Sequence, residues 1–377
     1  MTITGLKQEL PLKIAKVDII PLAIPFEFGG KPYGWGKQVW SSLNTMLVRI
    51  ETDTGIVGWG DAFAYSSRRA IQGILEEMVV PILIGRDATD ITGLMHSLQK
   101  DLHLFGRYGM IIHALSGVDI ALWDIAGKAA GLPLCNLLGG RVRDDLVGYS
   151  SLFKYADPEL VAEKTRLSLD EGYGLVKLHE TGVAEVAAAR EAAGDGVPIM
   201  VDTNCPWTPV EAYQMAMKFK PYDIYWLEEP IFPPEDFQAL AKLRTESGVP
   251  IAAGEHACTA FQFREMFAAG AVTYAQPSVT KVGGITEFRK ISAMATAAGV
   301  QLMPHSPYFG PGFLATLHLT ASEANPGHVE WFYLDREACL YGDAIKPKNG
   351  LYTVPDGPGL GLEPDPDVIK DYRVKDD

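Results

Sequence analysis

The sequence predicts an α/β protein, a modified TIM barrel of the (β/α)7β type with an α+β N-terminal capping domain that the C-terminal tail completes. Three observations predict this fold. Apolar and polar residues alternate before about residue 60, as in a β meander, and a helical region follows. From about residue 145, short apolar runs alternate with helical segments. Three of those runs end in an acidic residue.

Length, composition and charge limit the class of protein. At 377 residues, the chain is long enough for one large barrel and a smaller domain. Its content of 47% hydrophobic and 21% charged residues is typical of a soluble globular protein. The net charge of −14 argues against a nucleic-acid partner, which requires a basic face.

The same sequence argues against a membrane partner and against secretion. No run approaches the roughly 20 apolar residues of a transmembrane helix. Residues 1–12 lack the apolar core and cleavage site of a secretory signal. The four cysteines are scattered without a CxxC pair, which is typical of reduced thiols. We therefore expect a cytoplasmic protein.

Residues 1–135 are expected to form the capping domain. The patterns at 16–25, 45–51 and 56–61 predict the strands of a meander. Residues 66–131 are expected to be helical, with a buried helix in their apolar second half.

A long aromatic loop, residues 26–42, lies between the first two strands of this meander. Loops of this kind are lids or packing segments, and we expect a lid. Trp35, in its middle, is a candidate substrate contact. Because substrate specificity is expected to reside in such rim loops, the sequence does not name the substrate.

Residues 136–340 are expected to form the barrel. The predicted strands are 146–151, 174–179, 198–202, 223–228, 250–255, 271–276, 300–304 and 328–332. The predicted helices are 158–172, 183–193, 208–220, 234–246, 259–269, 284–298 and 311–324. Eight strands with seven helices are a barrel that lacks its last helix. A doubly wound open sheet is the alternative, but no GxGxxG opens a helix after the first strand.

The C-terminal tail, residues 341–377, contains the turn-rich segment 355–361. A segment this rich in glycine and proline is unsuited to a barrel element. We expect the tail to return to the capping domain.

Three acids, Asp202, Glu228 and Glu255, each end a predicted strand. The carboxyl ends of parallel barrel strands meet at one rim, where such barrels keep their active sites. Three acids at one rim repel each other unless a cation neutralises them, and oxygen-only ligands favour Mg²⁺. Cys205 and Cys258 each follow one of these acids by three residues. A soft thiolate suits a hard oxygen site poorly, so packing is their expected role.

Other ends of predicted strands carry groups for proton transfer. Lys177 and His179 alternate on the second strand and face the same side. Lys281 follows the sixth strand, His305 ends the seventh, and Glu330 lies in the eighth. This inventory suits abstraction of the proton alpha to a carboxylate. The barrier to that step falls only if the enediolate is stabilised as it forms.

The chain resembles the enolase superfamily. Within it, the resemblance is to the mandelate racemase branch of the mandelate racemase / muconate lactonizing enzyme-like proteins. The order and spacing of the matching motifs are specific, and the resemblance covers nearly the whole chain. The motifs are Val57-Gly-Trp-Gly60, Val201-Asp-Thr-Asn204, Leu227-Glu-Glu-Pro230, Gly254-Glu255, Gln276-Pro-Ser-Val-Thr-Lys-Val-Gly-Gly284, His305, His328-Val-Glu330 and the tail at 355–361.

This resemblance implies Mg²⁺ on the three acids and a symmetric homo-oligomer. It implies that Lys177 steadies the substrate carboxylate and that Glu330 is a hydrogen-bond donor or electrophilic acid near it. It places His305 on the substrate face opposite to residue 179.

The sequence departs from the branch at two positions. A lysine is usual where His179 stands, and an aspartate that hydrogen-bonds the strand-seven histidine is usual where Ser278 stands. A serine can orient the ring of His305 but stabilises its cation less, so His305 is expected to be a weaker base. His179 is then the expected base, and Lys281 is the fallback.

Four further residues are candidates for the pocket. Asn204 is expected to support the metal shell or to contact substrate, and Ser278, Trp35 and Tyr308 are expected to contact substrate. The remaining histidines lie off the pattern or on helices and are expected to be structural. They are His103, His113, His256, His318 and His328.

The function we infer from the sequence is Mg²⁺-dependent abstraction of the alpha proton of a small carboxylate. Dehydration of a sugar acid to a 2-keto-3-deoxy acid is the expected outcome, because a 3-hydroxyl leaves readily from an enediolate. Racemisation or epimerisation, and cycloisomerisation of a lactone or anhydro sugar acid, are alternatives. A non-catalytic metal-binding scaffold is a further alternative, which the retained lysine and histidines argue against.

Overall fold

The computed structural model describes residues 12–35 and 38–375. The expectation about a secretory signal therefore concerns residues that lie almost wholly outside the described ones. The side chain of Trp35 is not described either, so its place in the pocket stays a prediction.

The described residues form fifteen strands. They are β1 Ile14–Glu27, β2 Gly34–Trp35, β3 Gln38–Val39, β4 Ser42–Thr52, β5 Val57–Phe63, β6 Asp145–Leu152, β7 Val176–Leu178, β8 Ile199–Asp202, β9 Trp226–Glu228, β10 Ile251–Ala253, β11 Tyr274–Ala275, β12 Gln301–Leu302, β13 Val329–Tyr333, β14 Asp335–Arg336 and β15 Leu351–Thr353.

Thirteen α-helices accompany these strands in the described part of the chain. They are α1 Arg68–Gly73, α2 Val80–Leu83, α3 Ile91–Asp101, α4 Met110–Ala130, α5 Leu134–Leu137, α6 Pro158–Asp170, α7 Val183–Ala193, α8 Pro209–Phe219, α9 Phe237–Ser247, α10 Thr259–Ala268, α11 Gly284–Ala298, α12 Pro311–Ser322 and α13 Pro366–Tyr372. A π-helical segment, Ile74–Val79, joins α1 to α2.

The capping domain is built on the predicted meander. Strands β1, β4 and β5 form an antiparallel sheet, and β14 adds to the outer edge of β1. Helix α4 packs on this sheet. It is apolar on most faces and long enough to span a membrane, but 78% of its most apolar window is buried inside the protein. The expected buried helix is therefore confirmed.

Close packing between α4 and β5 depends on two glycines. A Cβ at Gly60 would lie 1.9 Å from the carbonyl oxygen of Gly117, and one at Gly58 would lie 2.2 Å from that of Ala121. Real Cβ atoms do not approach so closely, so the helix rests directly on the backbone of the strand.

The barrel follows the predicted order. Its eight parallel strands are ordered β12-β11-β10-β9-β8-β7-β6-β13, so the eighth strand lies beside the first. Strands β12 and β13 share no ladder but come close, since the His328 N–H lies 3.3 Å from Met303 Sδ. Helices α6 to α12 alternate with the strands as predicted. Six of these strands are shorter than predicted, β13 has the predicted length, and β6 is longer.

The tail differs from its prediction in one respect. It supplies a strand, β15, which pairs antiparallel with the beginning of β6. The segment beyond it also reaches the capping domain: the Leu360 N–H donates to Asp124 at 2.8 Å and the Val374 N–H donates to the Pro21 carbonyl at 2.9 Å. The tail thus contacts both domains. A short strand beside an open sheet edge leaves little signal in the sequence.

Alanine at Gly60 tests the contact between α4 and β5. Gly60→Ala is expected to lower the free energy of unfolding by about 1–3 kcal/mol, because the new methyl group overlaps a helix carbonyl. Gly73→Ala is the control. Gly73 has a helical φ of −59° and open space around its Cβ position, so alanine is expected to add about 0.5–1 kcal/mol. Urea unfolding measures both, and equal effects of the two changes would contradict the packing argument.

Candidate active site

The three predicted acids meet at the carboxyl ends of the strands. Asp202 and Glu228 end β8 and β9 and are direct neighbours in the ladder, while Glu255 lies two residues beyond β10. One carboxylate oxygen of each lies within 4.8 Å of those of the other two. All three side chains are at least mostly buried. This oxygen-only set fits a hard divalent cation.

Lys177 lies among three carboxylates. Its Nζ lies 3.2 Å from Asp202 Oδ2, 2.9 Å from Glu228 Oε1 and 2.8 Å from Glu330 Oε1. An ammonium group has three donors, so these contacts occupy all of them. Burial lowers the pKa of Lys177, but the three acids raise it well above its usual value. Lys177 is therefore a permanent cation in the floor of the site.

The acids remain in excess over this one lysine. Burial and the charge of Asp202 raise the pKa of Glu228 well above its usual value, although Lys177 opposes the shift. Burial also raises the pKa of Glu330, but Lys177 and His305 offset it and hold the pKa below its usual value. Glu330 Oε2 additionally accepts the Ser306 N–H at 3.1 Å. Lys177 therefore does not neutralise all of the carboxylates, and a further cation would stabilise them.

His179 lies at the Asp202 side of the three acids. Its Nδ1–H donates to the Leu152 carbonyl at 2.6 Å, which leaves Nε2 3.2 Å from Asp202 Oδ2. Burial lowers the pKa of His179, but Asp202 raises it above the usual value. The ring is thereby fixed with one nitrogen toward the acids.

His305 lies at the Glu255 side. Its Nε2 lies 2.8 Å from Glu255 Oε2, and its Nδ1 has no hydrogen-bond partner among the described residues. No hydrogen bond joins Ser278 to this ring among the described residues. The Ser278 hydroxyl instead lies 3.5 Å from the Tyr308 hydroxyl and 3.4 Å from that of Thr280. Among the described residues, Glu255 is the charged group within ion-pair distance of His305, and Glu330 acts on it from farther away.

Asn204 and Lys281 support the acids from the sides. The Asn204 side-chain amide and backbone N–H both donate to Asp202 Oδ1, at 2.5 and 3.0 Å. Lys281 Nζ lies 3.8 Å from Glu255 Oε1 and 4.8 Å from the centre of the Phe63 ring.

Two histidines that the sequence suggested were structural also line the site. His256 Nε2 lies 2.9 Å from Glu229 Oε2 and 3.3 Å from Glu255 Oε1. Burial lowers its pKa, but Glu229 and Glu255 raise it to about 9. His113, on α4 of the capping domain, faces the Phe63 ring. The position of His256 directly after a candidate ligand was the only signal for it; for His113 the sequence contains none.

A cavity of about 650 Å³ lies over these groups. His179, Asp202, Asn204, Glu255, Lys281 and His305 line its polar side. Its other wall is aromatic: Tyr33, Trp40, Phe63, Tyr65, Phe153 and Phe332.

The predicted aromatic loop supplies part of that wall. The Phe28 ring stacks on Phe153 at 4.0 Å, and Tyr33 and Trp40 also pack against Phe153. Two predicted pocket residues have a different place. Ser278 and Tyr308 are buried behind the cavity and do not line it, so they support its wall rather than contact its contents.

The fold and the site together define a class, a barrel enzyme with an acidic rim beneath a capping domain. Residues 35–139 match the N-terminal domain of the mandelate racemase / muconate lactonizing enzyme family, and residues 159–368 match the enolase C-terminal domain-like family. The chain belongs to the mandelate racemase / muconate lactonizing enzyme family of the enolase superfamily.

Similar curated proteins include dehydratases and cycloisomerases. Arabinonate dehydratase from Saccharolobus solfataricus is 34% identical over 88% of this chain and 91% of the relative. D-galactarolactone cycloisomerase from Agrobacterium fabrum is 32% identical over 88% and 92%. Among solved structures, the 3,6-anhydro-D-galactonate cycloisomerase from Zobellia galactanivorans has a TM-score of 0.83 at 29% identity, covering 96% of this chain and 100% of the other.

A divalent cation is expected to stabilise the protein through the three acids. At a Mg²⁺ concentration of about 100 times the Kd, binding to the native state alone adds about 2.7 kcal/mol to the free energy of unfolding. Thermal unfolding with and without Mg²⁺ measures the shift. Glu228→Gln is expected to abolish it, whereas Glu246→Gln, a change at an exposed glutamate, is expected to retain it. A shift that survives Glu228→Gln would contradict the assignment.

His113 is expected to make the protein sensitive to acid. Burial, with a contribution from Lys281, lowers the pKa of His113 from 6.5 to about 3. Between these values the unfolded chain binds a proton that the folded chain does not, so stability falls as the pH falls below 6.5. The loss from pH 7 to pH 5 is about 2 kcal/mol. Urea unfolding of His113→Gln should show that much less pH dependence, with His103→Gln as the exposed control.

Proposed function

We propose that this chain is a Mg²⁺-dependent sugar-acid dehydratase that removes the alpha proton of its substrate. One observation carries the proposal. Two imidazoles flank the row of three acids, with His179 Nε2 beside Asp202 and His305 Nε2 beside Glu255, and both line the cavity. A substrate lying over the acids would therefore have a proton-transferring group on each side. The named dehydratases among the relatives support this reading.

Asp202, Glu228 and Glu255 would hold the Mg²⁺. Their ligand atoms are all oxygens within 4.8 Å of one another, and burial and the charge of Asp202 raise the pKa of Glu228, as expected where a cation would reduce the repulsion. When bound, the ion offsets the negative charge that develops on the substrate carboxylate.

Lys177, held by Glu330, would act on the same carboxylate from below. The three donors of Lys177 are now used by Asp202, Glu228 and Glu330. With a cation on Asp202 and Glu228, Lys177 would be free to turn donors toward the substrate carboxylate. Glu330 would keep the ammonium in place. Because the positive charge of Lys177 is in place before the enediolate forms, its stabilisation of the enediolate requires no reorganisation.

His179 is the proposed base, and His305 is the proposed acid. His179 Nε2 takes the proton from the alpha carbon, and the electron pair of that C–H bond forms the enediolate. The pair then returns to form a double bond to the beta carbon, while the bond from that carbon to its hydroxyl oxygen breaks. His305 Nε2 gives a proton to the departing oxygen, so that water leaves and an enol remains. The enol becomes the 2-keto-3-deoxy acid by tautomerisation.

A cycloisomerase is the second candidate function. The aromatic wall opposite the acids favours it, because the C–H face of a compact ring packs well on aromatic rings. In this reaction the alpha proton is again removed by His179, but the leaving oxygen belongs to a lactone or anhydro ring. His305 then protonates the ring oxygen, and the ring opens without loss of water. Cycloisomerases are among the relatives.

We further propose a cytoplasmic homo-oligomer without nucleic-acid or membrane partners. The net charge of −14 supports the absence of a nucleic-acid partner, and the burial of α4 supports a soluble protein. Exposed Leu104, Phe105 and Tyr108 support an assembly. Light scattering of the purified protein tests the oligomer.

Solvent exchange in D₂O separates the two histidines. His179→Asn is expected to lower both deuterium incorporation at the alpha carbon and product formation by about 10²–10⁴-fold. His305→Asn is expected to retain exchange while product formation falls. NMR of aldonates, aldarates and their lactones with Mg²⁺-loaded protein measures both rates and also distinguishes dehydration from ring opening.

Lys281→Met provides the matched comparison for these changes. It is expected to keep measurable exchange, because Lys281 pairs with Glu255 and Phe63. If exchange survives His179→Asn but not Lys281→Met, the base is Lys281. If no acid or lactone in the panel exchanges its alpha proton, the enzyme proposal itself is overturned.

A further inference from the structure

A second cluster of potential metal ligands lies beside the three acids. It consists of Cys205, Glu229 and His256, whose ligand atoms all lie within 4.8 Å of one another. The mechanism proposed above uses none of these residues. We propose that they form a separate site for a borderline divalent cation, Zn²⁺ in the first instance.

One of the two distances known within the cluster matches zinc coordination, and the other is about 0.5 Å shorter. Glu229 Oε2 lies 3.6 Å from Cys205 Sγ and 2.9 Å from His256 Nε2. In a tetrahedral site with Zn–S of about 2.3 Å and Zn–O and Zn–N of about 2.0–2.2 Å, these separations are about 3.6 and about 3.4 Å. Small side-chain movements would therefore suffice to bind the ion.

The backbone holds the cluster in place. The Cys205 N–H donates to the Glu229 carbonyl at 2.7 Å, and the Thr203 hydroxyl also donates to that carbonyl, at 3.2 Å. Cys205 and Glu229 have φ angles of 55° and 45°, in the left-handed region that non-glycine residues seldom occupy. Such strain costs of order 1–3 kcal/mol per residue and concentrates at functional sites.

The ligand set selects the kind of ion. A thiolate with an imidazole and a carboxylate favours Zn²⁺ over Mg²⁺, which prefers oxygen ligands. Three protein ligands leave a fourth position for water or a small ligand. His256 has 45% of its side chain exposed, so the ion has a path from solvent. A small cavity of about 40 Å³, which Glu229 and His256 line, adjoins the cluster.

The site is distinct from the three-acid site but touches it. His256 Nε2 lies 3.3 Å from Glu255 Oε1 and so joins the two ligand sets. Glu228 and Glu229 are adjacent in the chain, but Glu228 belongs to the three-acid site and Glu229 to the second cluster. The two sites can therefore take different ions at the same time, the hard ion on oxygens and the softer ion on the thiolate.

Co²⁺, which reports thiolate ligation by absorption, tests the proposal. The protein is first saturated with Mg²⁺ so that the three-acid site is filled. Added Co²⁺ is then expected to produce a strong near-ultraviolet thiolate band that saturates at a single ion per chain and disappears when Zn²⁺ displaces it. Cys205→Ser should remove the band. Cys258→Ser is the matched control, because Cys258 Sγ also lies near an imidazole, at 4.0 Å from His113 Nε2, and should leave it unchanged.

A second variant tests the same site in case Cys205→Ser does not fold. His256→Ala changes a partly exposed side chain and is expected to weaken Co²⁺ binding by more than about 100-fold, since even supporting residues of metal sites contribute 10–100-fold. The proposal is overturned if Mg²⁺-saturated protein shows no thiolate band, if the band survives Cys205→Ser, or if Cys258→Ser removes it.

Discussion

The ammonium group of Lys177 is the constraint on which the rest of the site depends. It lies fully buried between carboxylates from β8, β9 and β13. Buried carboxylates without a cation are very unfavourable, so the lysine is what allows Asp202, Glu228 and Glu330 to converge. Because Glu330 belongs to the strand that closes the barrel, the same ammonium also ties the last strand to β7, β8 and β9. The ammonium group of Lys177 therefore stabilises both the closed barrel and the acidic site.

This centre organises the charges around it. Negative groups occupy the middle of the rim, and cationic or titratable groups stand at its edges, with His179 at one end and His305, Lys281 and His256 at the other. The proton-transferring groups thus stay close to the acids without neutralising all of them. One lysine does not neutralise all of these carboxylates. The negative charge that remains suits the cluster to a divalent ion.

Much of this arrangement could be predicted from the sequence, because it follows from periodicity. Parallel strands end at one edge, so Asp202 and Glu228 had to be neighbours once their strands were recognised. Other features depend on tertiary detail. Gly254, with a φ of 142°, helps to set how Glu255 and His256 leave their strand. The Ser278 hydroxyl turns to Tyr308, a partner thirty residues away that no local pattern indicates. The pairing of β15 likewise depends on an edge of β6 that is visible only in the folded barrel.

The cavity wall comes from two different parts of the chain, and this affects how the enzyme could acquire new substrates. Phe63 and His113 belong to the tightly packed β5 and α4, where even a methyl group at Gly60 meets the backbone of the helix. Tyr33 and Trp40 belong instead to the connection between β1 and β4. Substitutions in that connection can remodel the wall without disturbing the core. Selection for altered specificity should therefore accumulate changes in the connection first and spare the helix.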